Sequence, residues 1–280
     1  MATTKITRTL GTPTNNDKWT YSAWVKRAGF GVDTAICTAR TGTSGPYTNI
    51  IFQSNNQFRM YGPDTAGLND FNYQSTRLFT DTTAWYHVVV AWDNTQATNT
   101  DRVKIYINGD LMTDFVAQTH PATVASGSSY VFNRNNYTTV IGARTDNSEY
   151  WDGEMAHINF VDGAQLTAAS FGETDSATGI WKIKTGPSVT YGNNGFFLKM
   201  DDTTNMDLDS SGNSHTFATS GTLTFAQDSP SDNFAVFNKS NSHNSGVTFS
   251  HGNTTCTGAS GWNGAAASLG FRKGQPIYWE

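Results

Sequence analysis

Trp85-Tyr-His-Val-Val-Val-Ala-Trp-Asp93, a polar loop, and then Arg102-Val-Lys-Ile-Tyr-Ile-Asn-Gly109 decide the fold. In the first run nearly every position is apolar, which predicts a strand covered on both faces. In the second the pattern alternates: Val103, Ile105 and Ile107 point one way, while Arg102, Lys104, Tyr106 and Asn108 point the other. That period of two marks a strand wetted on one side. A doubly covered strand followed by a half-covered one is what a curved two-sheet sandwich requires. Upstream, Lys18–Arg27 repeats the theme, with Trp19, Tyr21, Ala23 and Val25 on one face and Trp24 on the other.

Composition narrows the partners. The 280 residues carry a net charge of −5 with no long run of either sign. Nucleic acid rewards a basic surface, and an anionic membrane rewards basic clusters, so neither partner is expected. Charged residues are only 15 % of the chain, which leaves a surface of Thr, Ser, Asn and Gly as in many adhesive β proteins. The segment Met1–Arg8 has no apolar stretch of the kind that targets secretion. No segment approaches the ~20 apolar residues of a membrane span. Cys37 and Cys256 are far apart and no Cys-x-x-Cys occurs, so neither a disulfide framework nor a zinc site is expected. The expectation is a chain made and kept in a reducing cytosol until it is assembled.

Along the chain the predicted organisation has four parts: an arm over 1–17, a sandwich over 18–227, a linker over 228–245, and a small β extension over 246–280. The arm, rich in Thr and Asn, reads as flexible or edge-binding. Asn49–Phe52 and Gln57–Tyr61 flank Ser54-Asn55-Asn56 as a hairpin, and a further strand covers Phe71–Phe79. Ala117–Asn136 reads as a long polar loop, a length that points to function or to an interface. Thr138–Ala143 and Gly153–Val161 are strands, the second with Ala156, Ile158 and Phe160 on one face. Thr167 caps a short helical turn that Gly172 ends. Gly195–Met200 is a strand with Phe196, Leu198 and Met200 inward. A composition break at Asp228-Ser-Pro-Ser-Asp-Asn-Phe234 precedes strands at Gly246–Phe249 and Gly270–Glu280. The fold class is all-β, an antiparallel jelly-roll sandwich.

An ordered series of short motifs resembles a known group. It runs Trp19-Thr-Tyr-Ser-Ala-Trp-Val-Lys-Arg27, Ala84-Trp-Tyr-His-Val-Val-Val-Ala-Trp92, Lys104-Ile-Tyr-Ile-Asn-Gly109 and Trp151-Asp-Gly-Glu-Met-Ala156. It continues through Val161-Asp-Gly-Ala-Gln-Leu166, Asn194-Gly-Phe-Phe-Leu-Lys199, Asp209-Ser-Ser-Gly-Asn213 and Asp228–Phe234. This series resembles the concanavalin A-like, laminin-G-like domains of bacteriophage virion proteins, often tail fibres. The tail from Gly261 to Glu280 resembles the opening of a SPRY-like sandwich. In cellular laminin-G-like domains the Asp-Ser-Ser-Gly-Asn element stands near the beginning, whereas here it stands near the end, as in the phage group.

Candidate chemistry follows from the residues. Glu149-Tyr-Trp-Asp152-Gly-Glu154 superficially resembles the alternating acids of sandwich glucanases, but Glu149 lies an odd number of positions from both others, and an Asp-Gly turn is the favoured reading. Asp207, Asp209 and Asn213 resemble the first half of a calcium loop. Its twelfth position is Ala218 rather than a bidentate acid, so an Asx-turn network is favoured over a metal, and no cofactor is expected unless calcium binds there. His87 and His157 sit inside strands and read as sheet residues. For carbohydrate, exposed rings would stack on sugar faces: Tyr150 and Trp151 beside a turn are the leading pair, then Tyr137 and Tyr61, with Trp151 packed under a loop as the plainer alternative.

The resemblance implies a non-enzymatic virion structural protein carrying a lectin-like domain on the particle surface, assembled in the host cytoplasm. A tail fibre or tail-associated adhesin comes first, and a capsid decoration or head-fibre protein second. A glycan-degrading enzyme is the third reading. Expected partners are other virion proteins, copies of the chain itself in a homo-oligomer, and a host glycan or receptor.

Overall fold

The computed structural model describes residues 3–40, 45–63, 70–126, 130–243, 246–250, 252–258 and 264–268. The first half supplies strands β1 (Lys5–Thr9), β2 (Lys18–Arg27), β3 (Thr34–Arg40), β4 (Tyr47–Phe52) and β5 (Gln57–Pro63). Then come β6 (Asp70–Leu78), β7 (Tyr86–Asp93), β8 (Val103–Ile107), β9 (Asp110–Leu111) and β10 (Phe115–Thr119). They are followed by β11 (Thr138–Ile141), β12 (Gly153–Asp162), β13 (Gly172–Thr174), β14 (Trp181–Ile183), β15 (Phe196–Leu198) and β16 (Ala218–Ser220). An eight-stranded sheet has the order β10-β6-β5-β4-β3-β11-β1-β16, and a six-stranded one the order β15-β12-β2-β7-β8-β9. Pairing is antiparallel throughout the described strands, and the only helical pieces described are three short turns. None of these is long or apolar enough to cross a membrane. The all-β sandwich expected from the sequence is the architecture found.

The opening segment now has a physical place. Every residue of β7 is buried. Val88, Val90 and Trp92 face the inter-sheet core, while Val89 packs outward with Val161, Phe171, Tyr191 and Phe197. The stretch between β12 and β15 thus forms an outer layer over the six-stranded sheet, which is why both faces of β7 are apolar. Trp19 and Trp92 are direct cross-strand partners, stacked at 5.6 Å and 7°, and Phe132 closes on Trp19 at 4.5 Å. Burying each such ring stabilises the fold by about 1.5–3 kcal/mol, with roughly 0.5–1.5 kcal/mol more from ring-on-ring geometry.

Several expectations are corrected. Residues 5–9 are no flexible arm: β1 pairs with β11 and β16 near one edge of the eight-stranded sheet, and Ile6 and Leu10 are buried. Ile6, with Leu10 just past the strand, anchors a segment whose pattern is hidden by Thr, Lys and Arg. The predicted loop Ala117–Asn136 begins inside β10, which pairs with β6, and continues through a helical turn at Val124–Ser126. In β12 the register with β2 shifts between Ala156 and Asn159, at His157 with φ +48°. This bulge turns Met155, Ile158 and Phe160 to the core and Ala156 outward against Trp24 and Trp85, so Ala156 does not share a face with Ile158. Thr167 occupies the cap position of the Ala168–Ser170 turn without a side-chain hydrogen bond.

Beyond the sandwich, β17 (Phe237–His243) pairs with β20 (Gly264–Ala267), and β18 (Val247–Ser250) pairs with β19 (Thr255–Gly258). The Asn253 amide donates to the Ala28 carbonyl at 3.2 Å, a buried contact between this region and the end of β2. The strand expected at Gly270–Glu280 lies outside the described residues.

Candidate functional site

The bulge in β12 opens the site. β15 pairs with β12 only from Ile158 to Phe160, so the Gly153–Ala156 half has β2 on one side and, among the described strands, no partner on the other. The chain from Thr222 to Ala235 crosses there without joining the sheet, and a cavity of about 1090 Å³ lies between the two. Trp85, Met155, Trp151 and Leu223 supply apolar wall. Phe225 and Phe234, 42 % and 44 % exposed, stand on the crossing chain and also line the cavity. Gly153 makes the approach to β2 feasible, because a Cβ there would run into the Lys26 carbonyl.

One end of the cavity is acidic. Glu154 is the cross-strand partner of Lys26. The Lys26 Nζ meets the Asp228 carboxylate and donates to Asn233 Oδ1 at 2.9 Å. Asp228 Oδ1 also accepts from the Phe234 backbone N–H at 2.9 Å and faces Trp85 Nε1 at 3.4 Å. Burial and then the neighbouring Asp228 push Glu154 up to about 8, with Lys26 opposing. Toward the other end, His157 packs on Phe197 at 5.4 Å, and its Nδ1 is buried without a partner. Burial lowers its pKa to about 4, with Lys199 adding to the fall and Asp201 opposing it.

Of the residues expected to bind sugar, Trp151 is 6 % exposed and belongs to the inter-sheet core, 6.1 Å from Phe52. Its ring cannot serve as an open platform; the apolar side of the sheet claimed it. Tyr137 is half-buried against the core with Arg134 over its ring at 6.0 Å, and Tyr61 stacks edge-on with Tyr47. Tyr150 is half-buried. Only Trp151 of these four lines the cavity. The four rings are not brought together there.

The calcium-like loop is tied by its own backbone. Asp209 Oδ1 accepts from Phe197 N at 3.0 Å and Ser211 N at 2.9 Å, and Oδ2 from His215 N at 3.0 Å. Burial alone would raise the Asp209 pKa, but these donors outweigh it and hold the carboxyl below its ordinary value. Asp207 instead accepts from the Thr219 hydroxyl at 2.7 Å, and Asn213 donates to the Gly192 and Gly195 carbonyls. Asp207, Asp209 and Asn213 are thus each engaged with separate partners. Among the described residues, no group of three His, Cys, Asp or Glu is placed to hold a metal.

His87 is a structural node of the kind its strand position suggests. It lies between Trp24 at 4.8 Å and Trp181 at 5.9 Å. Trp181 Nε1 donates to its Nδ1 at 3.0 Å, so its Nε2 carries the proton and donates to Ser22 Oγ at 2.9 Å. Burial pushes its pKa down to about 3.

A family model described as the Concanavalin A-like lectin/glucanases superfamily matches residues 3–170. No curated protein matches the chain. Among solved structures, a putative carbohydrate binding protein from Bacteroides ovatus is 16 % identical, covering 82 % of this chain and 59 % of that one, with a TM-score of 0.46. A heptameric SAP-like pentraxin from Limulus polyphemus is 17 % identical over 59 % of this chain and 77 % of its own, with a TM-score of 0.36. Domains LG4-5 of the mouse laminin alpha1 chain are 10 % identical, over 59 % and 43 %, with a TM-score of 0.39.

Proposed function

The chain belongs to the concanavalin A-like lectin/glucanase superfamily, and from that premise we propose that it is a non-enzymatic phage virion protein whose lectin-like sandwich recognises glycan at the particle surface. The observation that carries the recognition reading is the cavity beside β12, with Phe225 and Phe234 exposed along it and Asp152 and Asp201 among its polar lining. Rings of that kind stack on sugar faces, and carboxylates accept from sugar hydroxyls. The ordered motif series through Asp228–Phe234 supports the virion context, with tail-fibre adhesion as the role.

Hydrolysis is disfavoured by the acids themselves. Glycoside hydrolysis needs two carboxyls about 5–9.5 Å apart, flanking the scissile bond. Here Glu154 is buried beside Asp228, which helps raise its pKa, and Asp228 is engaged by Lys26. The exposed edge strands β10 and β16 favour docking on other virion proteins by strand addition, which suits a capsid decoration role as well.

A glycan array followed by calorimetry on the hits tests the reading. The wild-type chain is expected to bind a defined oligosaccharide, and the Phe225→Ala/Phe234→Ala double variant to lose about tenfold or more in affinity, or ~1.4 kcal/mol. Equal affinity for the two proteins, or an array without hits, would remove the recognition claim.

A further inference from the structure

We propose that Lys26 and Asp228 are joined by an intramolecular isopeptide bond, formed by the folded chain itself with Glu154 as the catalytic acid. Three side chains that are distant in sequence meet for this. Lys26 and Glu154 face each other across β2 and β12, and Asp228 arrives on the crossing chain with its carboxylate against the Lys26 Nζ. The Lys26 and Asp228 side chains are 2 % and 1 % exposed. Two opposite charges so deeply buried carry a desolvation penalty that their attraction often fails to offset. An amide carries no charge, so joining them removes that penalty.

The remaining groups match the chemistry. Both Glu154 oxygens are buried without a hydrogen-bond partner. Burial and then the neighbouring Asp228 raise the Glu154 pKa to about 8, which keeps a proton on it near neutrality. Phe234 N and Trp85 Nε1 both point at Asp228 Oδ1, where they would stabilise the oxyanion that forms during attack on a carboxyl carbon.

The steps balance. The Lys26 ammonium passes one proton to Asp228 Oδ2, leaving a neutral amine beside a neutral acid. The amine lone pair forms the Nζ–Cγ bond while the C=O electrons move to Oδ1. Glu154 then takes a proton from the nitrogen with one oxygen and gives its own proton to Oδ2 with the other. The Cγ–Oδ2 bond breaks, one water leaves into the adjoining cavity, and Glu154 is regenerated. No oxidant or co-reactant is needed. The product ties the second strand of the sandwich to the Asp-Ser-Pro-Ser-Asp-Asn-Phe motif that follows the sandwich.

Mass spectrometry of the full chain, unfolded and reduced, tests this. The wild-type mass is expected to fall below the sequence mass by one water, and digestion to yield a branched peptide in which Lys26 is acylated by Asp228. Lys26→Arg is expected to restore the full mass, and Glu154→Gln to do so while still melting cooperatively by circular dichroism. Asp228→Asn is expected to form the same bond with loss of ammonia in place of water. Linear peptides with a free Lys26 amine and a free Asp228 carboxyl, from wild-type chain that melts cooperatively, would overturn the bond. So would loss of a water without the branched peptide, and a branched peptide in Glu154→Gln would overturn the role of Glu154.

Discussion

Acidifying the protein from pH 7 to pH 5 should weaken it through His87, and the size of the loss follows from where that ring sits. His87 is fully buried, accepts from Trp181 and donates to Ser22, and so must stay neutral in the fold. Its folded pKa is about 3 against an unfolded value of 6.5. The native state therefore binds fewer protons than the unfolded chain over that window. Its contribution is complete above pH 6.5 and is lost as the pH falls toward 3. Between pH 7 and pH 5 the loss works out at about 2 kcal/mol. His87→Gln removes the titration while keeping an amide that can accept from Trp181 and donate to Ser22. Glu154, raised by burial, and His157, lowered by it, titrate in both proteins, so the difference between them isolates His87. Urea denaturation of wild type and His87→Gln at pH 7, 6 and 5 is the assay. The wild type is expected to lose about 2 kcal/mol more than the variant across that range. Parallel pH dependences would refute the buried-neutral assignment.

Trp19→Ala empties the stack on Trp92 and Phe132 and should cost about 3–5 kcal/mol by chemical denaturation; a loss below 1 kcal/mol would show that the pair is not central to packing. Asp209→Ala orphans three backbone N–H groups and should cost about 1–3 kcal/mol, whereas calcium added to the wild type should leave its melting temperature unchanged, and a rise with calcium would restore the metal reading. Phe225→Ala and Phe234→Ala should each stay within about 0.5 kcal/mol of wild-type stability, so a large fall in either melting temperature would show that its ring is structural. Lys26→Arg should lower stability by about 5 kcal/mol, the chain-entropy value for opening a covalent loop of roughly 200 residues, and an unchanged denaturation midpoint would argue against such a closure.

The sandwich was legible because its signals are local. Alternation in Val103–Ile107 and the doubly apolar Tyr86–Asp93 need only neighbours to be read, and both emerged as strands with those faces. The β12 bulge was not legible: a histidine at φ +48° leaves no mark in the residue pattern, and it reverses Ala156 relative to Ile158. The first strand escaped because Lys5–Thr9 gains its place from β11 and β16, both far along the chain. The acidic end of the cavity was hidden for the same reason. Nothing near Lys26 in the sequence signals that Asp228, two hundred positions later, covers it. Trp151 shows the reverse failure, since a turn-side tryptophan has one sequence signature whether it faces sugar or core.

The proposed virion-surface recognition is tested most directly by cryo-EM of phage particles purified from the source that carries the gene. Virion-surface recognition requires copies on the outside of the particle with the cavity beside β12, and Phe225 and Phe234, facing solvent. Density that buries that cavity under another virion protein, or particles that lack the chain, would contradict it.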